Sequence, residues 1–272
     1  MRNTTPIFRF SSLLFLLVIL FSFSCASKQN TMTVKPAQLN NKYVRLSMNL
    51  LEKIKKGEDT KKIQGELEVI NSDTLAKYLA TDEQKKAFWI NLYNSFIQIR
   101  LSEKPQYFKE RSTFFGTPLM IIAGKRLSFD DIEHGIIRKS RIKISLGYLR
   151  KWFRPKWERK LRVKNIDWRI HFALNCGAKS CPPVAVYTSE NLDKEFNFMT
   201  KQYLKEQTTY NSQTKTAKSV ALMSWFRGDF GGKCGAKKIL FNYKITPEKP
   251  KNLEFKNYDW TLLLGNFRTI PK

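Results

Sequence analysis

The sequence predicts an α+β fold: a single domain with N-terminal helices and a central, mostly antiparallel sheet. Three observations carry this. The segments that open the domain repeat apolar residues at helical spacing. Later segments, above all "DWRIHFALN", alternate apolar and polar residues with period two. Roughly 235 residues remain once the N-terminal segment is set aside, which suits one domain with a full core. Aromatic residues make up 13% of the chain, which argues against disorder.

Residues 1–24, "MRNTTPIFRFSSLLFLLVILFSFS", place Arg2 and Arg9 before an almost wholly apolar run from Leu13 to Phe23. This is the pattern of a secretory signal peptide, too short for a comfortable membrane span. The stretch "SFSC" resembles a bacterial lipobox, departing from it at Ser22, where that pattern prefers Leu. The resemblance implies that Cys25 is lipid-modified and anchors the chain in the bacterial cell envelope, facing the periplasm. A conventional signal peptide followed by a stray cysteine is the alternative. Residues 25–38 read as the lipidated cysteine and a flexible tether, and 39–272 as the globular domain.

Within the domain, "YVRLSMNLLEKIKKGED" puts Val44, Leu46, Leu50, Leu51 and Ile54 on one helical side, and "SDTLAKYLA" suggests a second helix. Asp82 is a candidate cap for a third, "DEQKKAFWINLYNSFIQIRLSE". That helix is apolar nearly all round except for Asn91, Asn94 and Gln98 along one face, so it is expected to be buried. Its amides then either pin neighbouring backbone or line an internal polar site. "LMIIAGKRLSF" reads as a strand, a tight turn and a short return. Ser128 with Asp131 begins a helix in which His134 falls away from the Ile132/Ile136 stripe. "DWRIHFALN" reads as a core strand with His171 on its polar face, and "VAVYT" as a short strand. A helix from Ser189 turns Leu192, Phe196, Met199, Tyr203 and Leu204 inward. "KSVALMSWF", "ILFNYKI" and "LEFKNYDWTLLL" read as strands or irregular structure around the turn "RGDFGGKCG".

The formal net charge is +26. Residues 138–164 hold twelve Lys or Arg against Glu158 alone, interleaved with Tyr148, Trp152, Phe153 and Trp157. In a cytosolic protein this would suggest nucleic acid. In an exported, tethered chain the nearer anions are phospholipid headgroups or envelope polymers, so no nucleic-acid partner is expected. The spacing of Tyr148 and Trp152 at i,i+4, with Trp157 nearby, fits a helix face packed on a core or a membrane surface. A solvated basic face is the plain alternative.

Five blocks, "FWINLYNSF", "SFDDIEHGIIR", "RIHFALNCGAKSCPP", "WFRGDFGG" and "NYDW", occur in the order seen in the DUF547 family, which the chain resembles from Leu46 to Leu264. The family's activity is not established. The resemblance implies an exported lipoprotein and assigns no chemistry. Cys234 lies outside the blocks.

The block "RIHFALNCGAKSCPP" admits four readings. In the first, Cys176 or Cys181 is a nucleophile and His171 or His134 its base. Asn91, Asn94, Asp131, Glu133 or Asp167 orients that base, and Arg138 or Arg169 lowers the thiol pKa or binds a carboxylate. Papain-like and transglutaminase-like hydrolases assemble such groups on α+β scaffolds, an analogy at fold level only. In the second, a Cys176–Cys181 disulfide staples the turn, as an oxidising compartment permits. The third is a metal site, but H-x4-C-x4-C is unlike the usual zinc knuckles, and no metal or other cofactor is expected. In the fourth, all are core residues. In "RGDFGG", Asp229 orients a base, pairs with Arg227, or belongs to a structural turn. Two functional expectations follow. One is a cysteine-dependent hydrolase or acyl/peptidyl transferase of the envelope. The other is a non-enzymatic binding or scaffold domain whose basic face, with Trp152 and Trp157, meets an anionic surface. Substrate and oligomeric state stay open.

Overall fold

The computed structural model describes residues 41–271; the expected signal peptide, Cys25 and the expected tether lie outside the described residues. Helix α1 (Lys42–Lys56) starts at Asn41, whose side chain accepts from the Tyr43 and Val44 N–H groups, and stops at Gly57 in the left-handed conformation. Short helices α2 (Lys61–Glu68) and α3 (Ser72–Tyr78) follow. Helix α4 (Asp82–Glu103) is the axis of the fold: it packs along α1, and Phe88, Trp89, Ile90 and Leu92 are fully buried. The expected cap is displaced by one residue. Thr81 accepts from Gln84 N–H at 3.3 Å, and the Gln84 side chain accepts from Thr81 N–H at 3.2 Å, a reciprocal capping box. Asp82 instead accepts from the Lys164 and Asn165 N–H groups, both at 2.7 Å, tying the helix start to a distant loop.

The polar stripe of α4 pins backbone. Asn91 clamps Tyr187, donating to its carbonyl at 2.8 Å and accepting from its N–H at 2.9 Å. Asn94 donates to Ala173 O at 2.9 Å and accepts from Asn175 N–H at 2.8 Å. Gln98 accepts from Gly265 N–H at 2.9 Å. Three remote segments are thereby registered on one buried helix.

Strands β1 (Met120–Ile122) and β2 (Lys125–Leu127) form an antiparallel hairpin through Ala123 and Gly124, both at positive φ. Ser128 and Asp131 then cap each other: Asp131 N–H donates to Ser128 Oγ at 3.1 Å, and Ser128 N–H to Asp131 Oδ2 at 3.0 Å. This opens a π-helix, Asp131–Ile137, a rare element that favours functional positions.

The segment expected as a core strand is a turn of 3₁₀ helix, Trp168–Phe172. Asp167 caps it by accepting from Arg169 N–H at 3.1 Å. Ile170 packs into the main core and Phe172 into a second cluster beneath the C-terminal elements. Both ends of the turn are therefore covered, and the apolar alternation reflects burial from two directions. The α+β class holds, but without that strand the β structure is split into two small sheets instead of one central sheet. The second contains β3 (Thr209–Asn211) antiparallel to β4 (Thr216–Ser219), which runs parallel to β5 (Asn252–Phe255).

"VAVYT" contributes only an isolated bridge, Val184 to Phe267. Helix α5 (Leu192–Gln207) buries the five expected residues. "ILFNYKI" lies largely in a helix (Gly232–Asn242), because Ala236, Ile239 and Leu240 repeat at helical spacing and are buried together. Among the described residues no helix is long and apolar enough to cross a membrane.

Candidate active site

A cleft of about 330 Å³ opens where the π-helix, the 3₁₀ turn, the Cys176–Cys181 turn and the C-terminal segments meet. Its acid–base and sulfur groups are His134, His171, Glu133, Asp130, Cys176 and Cys181. Its walls are aromatic: Trp225, Tyr258 and Trp260 pack together, with Trp225 and Trp260 stacked 5.7 Å apart.

The centre of this arrangement is a buried ion pair. Arg138 follows the π-helix, and its side chain is fully buried; Asp229 comes from the "RGDFGG" turn, and its side chain is fully buried too. Arg138 Nε donates to Asp229 Oδ2 at 2.7 Å. Glycine makes this approach feasible. A Cβ on Gly228 would lie 2.6 Å from the Gly147 carbonyl carbon, and one on Gly147 would lie 2.7 Å from Asp229 Oδ1, so the two loops touch backbone to backbone.

This pair sets the proton positions of both histidines. His171 Nε2 lies 2.9 Å from Asp229 Oδ2. Burial alone would raise the Asp229 carboxyl, but hydrogen bonds and charge from His171 and Arg138 outweigh it and hold the group below the ordinary carboxylate value. An ionised carboxylate only accepts, so Nε2 carries the proton and Nδ1 keeps a lone pair. Burial pushes His171 below the ordinary imidazole value despite Asp229, and the Arg138 charge adds to the effect. The ring is held flat against Phe226, with centroids 4.0 Å apart. His134 is arranged the other way. Its Nδ1 faces Arg138 Nη1 at 2.7 Å, and a guanidinium only donates. His134 therefore accepts at Nδ1 and carries its proton on Nε2, which lies 3.5 Å from Asp130 Oδ1. One histidine offers an acceptor and the other a donor, the complementary states that acid–base chemistry needs.

Asp130 is held below the ordinary carboxylate value: burial opposes this, but hydrogen bonds from His134 and Lys143 prevail. Glu133 accepts from Tyr93 O–H at 3.3 Å.

A disulfide joins Cys176 and Cys181, so neither is a free thiol in this structure. Cys176 N–H also points at Cys181 Sγ, 3.0 Å away, and Tyr258 Oη lies 3.0 Å from Cys181 Sγ and 3.4 Å from Cys176 Sγ. Gly177 makes the turn with φ +87°, and a Cβ there would meet Leu101 Cδ1 at 2.7 Å. Cys234 is free and exposed.

The other residues singled out in the sequence lie elsewhere. Asn91 and Asn94 are consumed in pinning backbone, and Asp167 in capping the 3₁₀ turn and pairing with Arg169 at 2.8 Å. None of these three lines the cleft, and the group that orients His171 is Asp229. The Arg169 guanidinium is occupied by Asp167, Asp193 and Asn197, leaving it unsuited to bind a substrate carboxylate. Arg227 forms no pair with Asp229; it donates to Ser224 O. Trp157 packs on the core, whereas Trp152 is 86% exposed. Tyr93, Asp130, Phe226 and Tyr258 were not anticipated as site residues. All four sit inside the blocks "FWINLYNSF", "SFDDIEHGIIR", "WFRGDFGG" and "NYDW", which is the signal the sequence offers for them.

Fold and site together define an α+β domain with a histidine–carboxylate cleft beside a disulfide. Residues 78–204 match the DUF547 family, described as a protein of unknown function. That match holds the π-helix, His171 and both bridged cysteines, and stops short of Asp229 and Tyr258. No curated protein and no solved structure matches the chain.

Proposed function

We propose that the chain is a membrane-anchored lipoprotein of the bacterial envelope and a cysteine-dependent hydrolase or acyl/peptidyl transferase that acts when its Cys176–Cys181 bridge is reduced. The observation that supports this most is convergence: both histidines and both bridged cysteines, drawn from separate segments, line one cleft. An exported compartment suits the bridge, and a dithiol reductant there would open it, its two thiols becoming a disulfide as Cys176 and Cys181 become thiols. Cys176 is the better nucleophile because it is the less buried of the two. His171 Nδ1 takes the thiol proton while Asp229 holds the ring. The thiolate attacks the acyl carbon, the leaving group departs with the proton from His171, and His134 Nε2–H donates to the developing oxyanion. Water or an acceptor nucleophile then releases the acyl group from sulfur.

Alkylation with mass spectrometry tests this. Untreated protein should label at Cys234 alone, and protein treated with a dithiol should label at Cys176 faster than at Cys234 near neutral pH. Reduced protein should also hydrolyse p-nitrophenyl acyl esters, and Cys176→Ser should abolish that rate. Ester hydrolysis that is unchanged in both Cys176→Ser and Cys181→Ser would exclude the cysteine mechanism. The scaffold alternative uses the basic segment and leaves the convergence of acid–base groups without a role, so the enzyme reading is preferred.

A further inference from the structure

Half of the large apolar side chains exposed among the described residues fall in one ten-residue stretch: Ile144, Leu146, Tyr148, Leu149, Trp152 and Phe153. Ile144, Trp152 and Phe153 are 86–87% exposed. Clustered exposure of this kind on an ordered surface marks an interaction site. The stretch is ordered by its own backbone: Ile142 N–H donates to Leu149 O at 3.0 Å, Tyr148 N–H to Ser145 O at 3.0 Å, and Lys151 N–H to Ser140 O at 2.8 Å. Its base is fastened to the Asp229 turn, where Gly228 N–H donates to Leu146 O at 2.8 Å. The apolar tips therefore stand out from a loop that is already folded, and they displace no core residue in doing so.

Two features identify what covers them. Arg141, Lys143, Arg150, Lys151, Arg154 and Lys156 alternate with and flank the apolar residues along the chain, and no acidic residue lies between 138 and 157, although Lys143 pairs with Asp130 and Lys151 with Glu158. Basic residues interleaved with exposed Trp, Phe and Ile are the pattern of an interfacial anchor in an anionic bilayer; a soluble polyanion would satisfy the charges but leave Trp152, Phe153 and Ile144 in water. The same loop also forms part of the cleft: Lys143 and Leu146 line it, with exposed Ile144 between them.

We infer that residues 143–153 dock into an anionic phospholipid bilayer and that the aromatic cleft beside them receives an acyl-chain amphiphile from it. The docking stands by itself. The assignment of that amphiphile as substrate rests on the cleft being the catalytic site proposed above.

The test uses the full chain reconstituted in vesicles whose lipid chains are brominated, which quench tryptophan in the apolar phase. With phosphatidylglycerol, wild type should be quenched more than Trp152→Phe, and the difference should shrink with phosphatidylcholine. Arg150→Gln and Lys156→Gln should each lower the docking equilibrium constant about fivefold at low salt. Equal quenching of wild type and Trp152→Phe would overturn the docking, and heparin binding without such a difference would assign the surface to a soluble polyanion. For the cleft, cis-parinaric acid should bind the reconstituted chain and accept energy from Trp225 and Trp260, a signal lowered in Trp225→Phe and lowered further when Trp260→Phe is added. Absence of that transfer would overturn the amphiphile. Because neither readout needs turnover, a failed esterase assay with positive quenching and transfer would remove the cysteine mechanism and leave the docking and ligand class standing.

Discussion

Removing the Asp229 carboxylate is the most informative perturbation of this protein. Asp229→Ala takes away an acceptor 2.7 Å from Arg138 Nε and 2.9 Å from His171 Nε2, and it strands a guanidinium whose side chain has no solvent exposure. Breaking a buried pair from one side costs about 3–5 kcal/mol, because the remaining charge is left without compensation. For a domain of this size each kcal/mol lowers the melting temperature by roughly 2–4 °C, so the expected fall is about 6–20 °C. The assay is urea unfolding, with the midpoint shifting at constant slope. Adding Arg138→Met removes the stranded charge and fills its space with apolar atoms. The double variant should recover about 2 kcal/mol or more relative to the sum of the single effects. A cost for Asp229→Ala below about 1 kcal/mol, or simple additivity in the double variant, would refute the claim that this pair organises the site. Asp229→Asn is the functional counterpart. It should slow alkylation of the reduced Cys176 by about 10²-fold or more, since a neutral amide that can also donate replaces the acceptor-only carboxylate that fixes the basic nitrogen of His171.

Other outcomes are expected. His171 is held below the ordinary imidazole value, so the unfolded chain binds the proton first. Stability should therefore fall as pH drops below about 6.5 toward the folded value. Asp229, Asp130 and Asp167 are depressed, so their contribution is present above about 4 and is lost below it. The urea midpoint of wild type should thus show two acid steps, with the upper one missing in His171→Gln. Asn94→Ala leaves Ala173 O and Asn175 N–H unpaired in the interior and should cost about 2–4 kcal/mol in the same assay; a neutral result would show that α4 does not pin that turn. Gly177→Ala must hold φ near +87° with its Cβ against Leu101 and should cost more than about 1 kcal/mol, read as a lower melting temperature.

Helices α1, α3, α4 and α5 were legible in the sequence because their periodicity and end signals are local. The hairpin at Ala123–Gly124 and the Ser128–Asp131 cap were legible for the same reason. The stripe of Asn91, Asn94 and Gln98 announced that something crosses α4, without naming Tyr187, Ala173, Asn175 or Gly265 as what it holds. The 3₁₀ turn at Trp168–Phe172 was misread because a short apolar alternation is compatible with a half-buried strand and with a tight turn covered from two sides. Only the Phe230, Tyr203 and Tyr243 side chains that pack on Trp168 and Phe172 distinguish these cases, and they come from far along the chain.

What the sequence by itself determined was the α+β class, the buried character of α4, the concentration of basic and aromatic residues at 138–164, and the short inventory of residues able to do chemistry. These follow from composition and short-range spacing. The tertiary structure alone decided which members of that inventory meet. It set Asp229, not Asp167, beside His171; it gave the two histidines opposite hydrogen-bonding roles; it left Trp152 in solvent and placed Trp157 on the core. His134 meets Arg138 only four residues on, but the Arg138 side chain is itself held by Asp229, 91 positions away, and His171 meets Asp229 across 58. Such pairings are chosen by how whole elements pack and by which buried charges must find a partner, and neither condition is written in any local pattern.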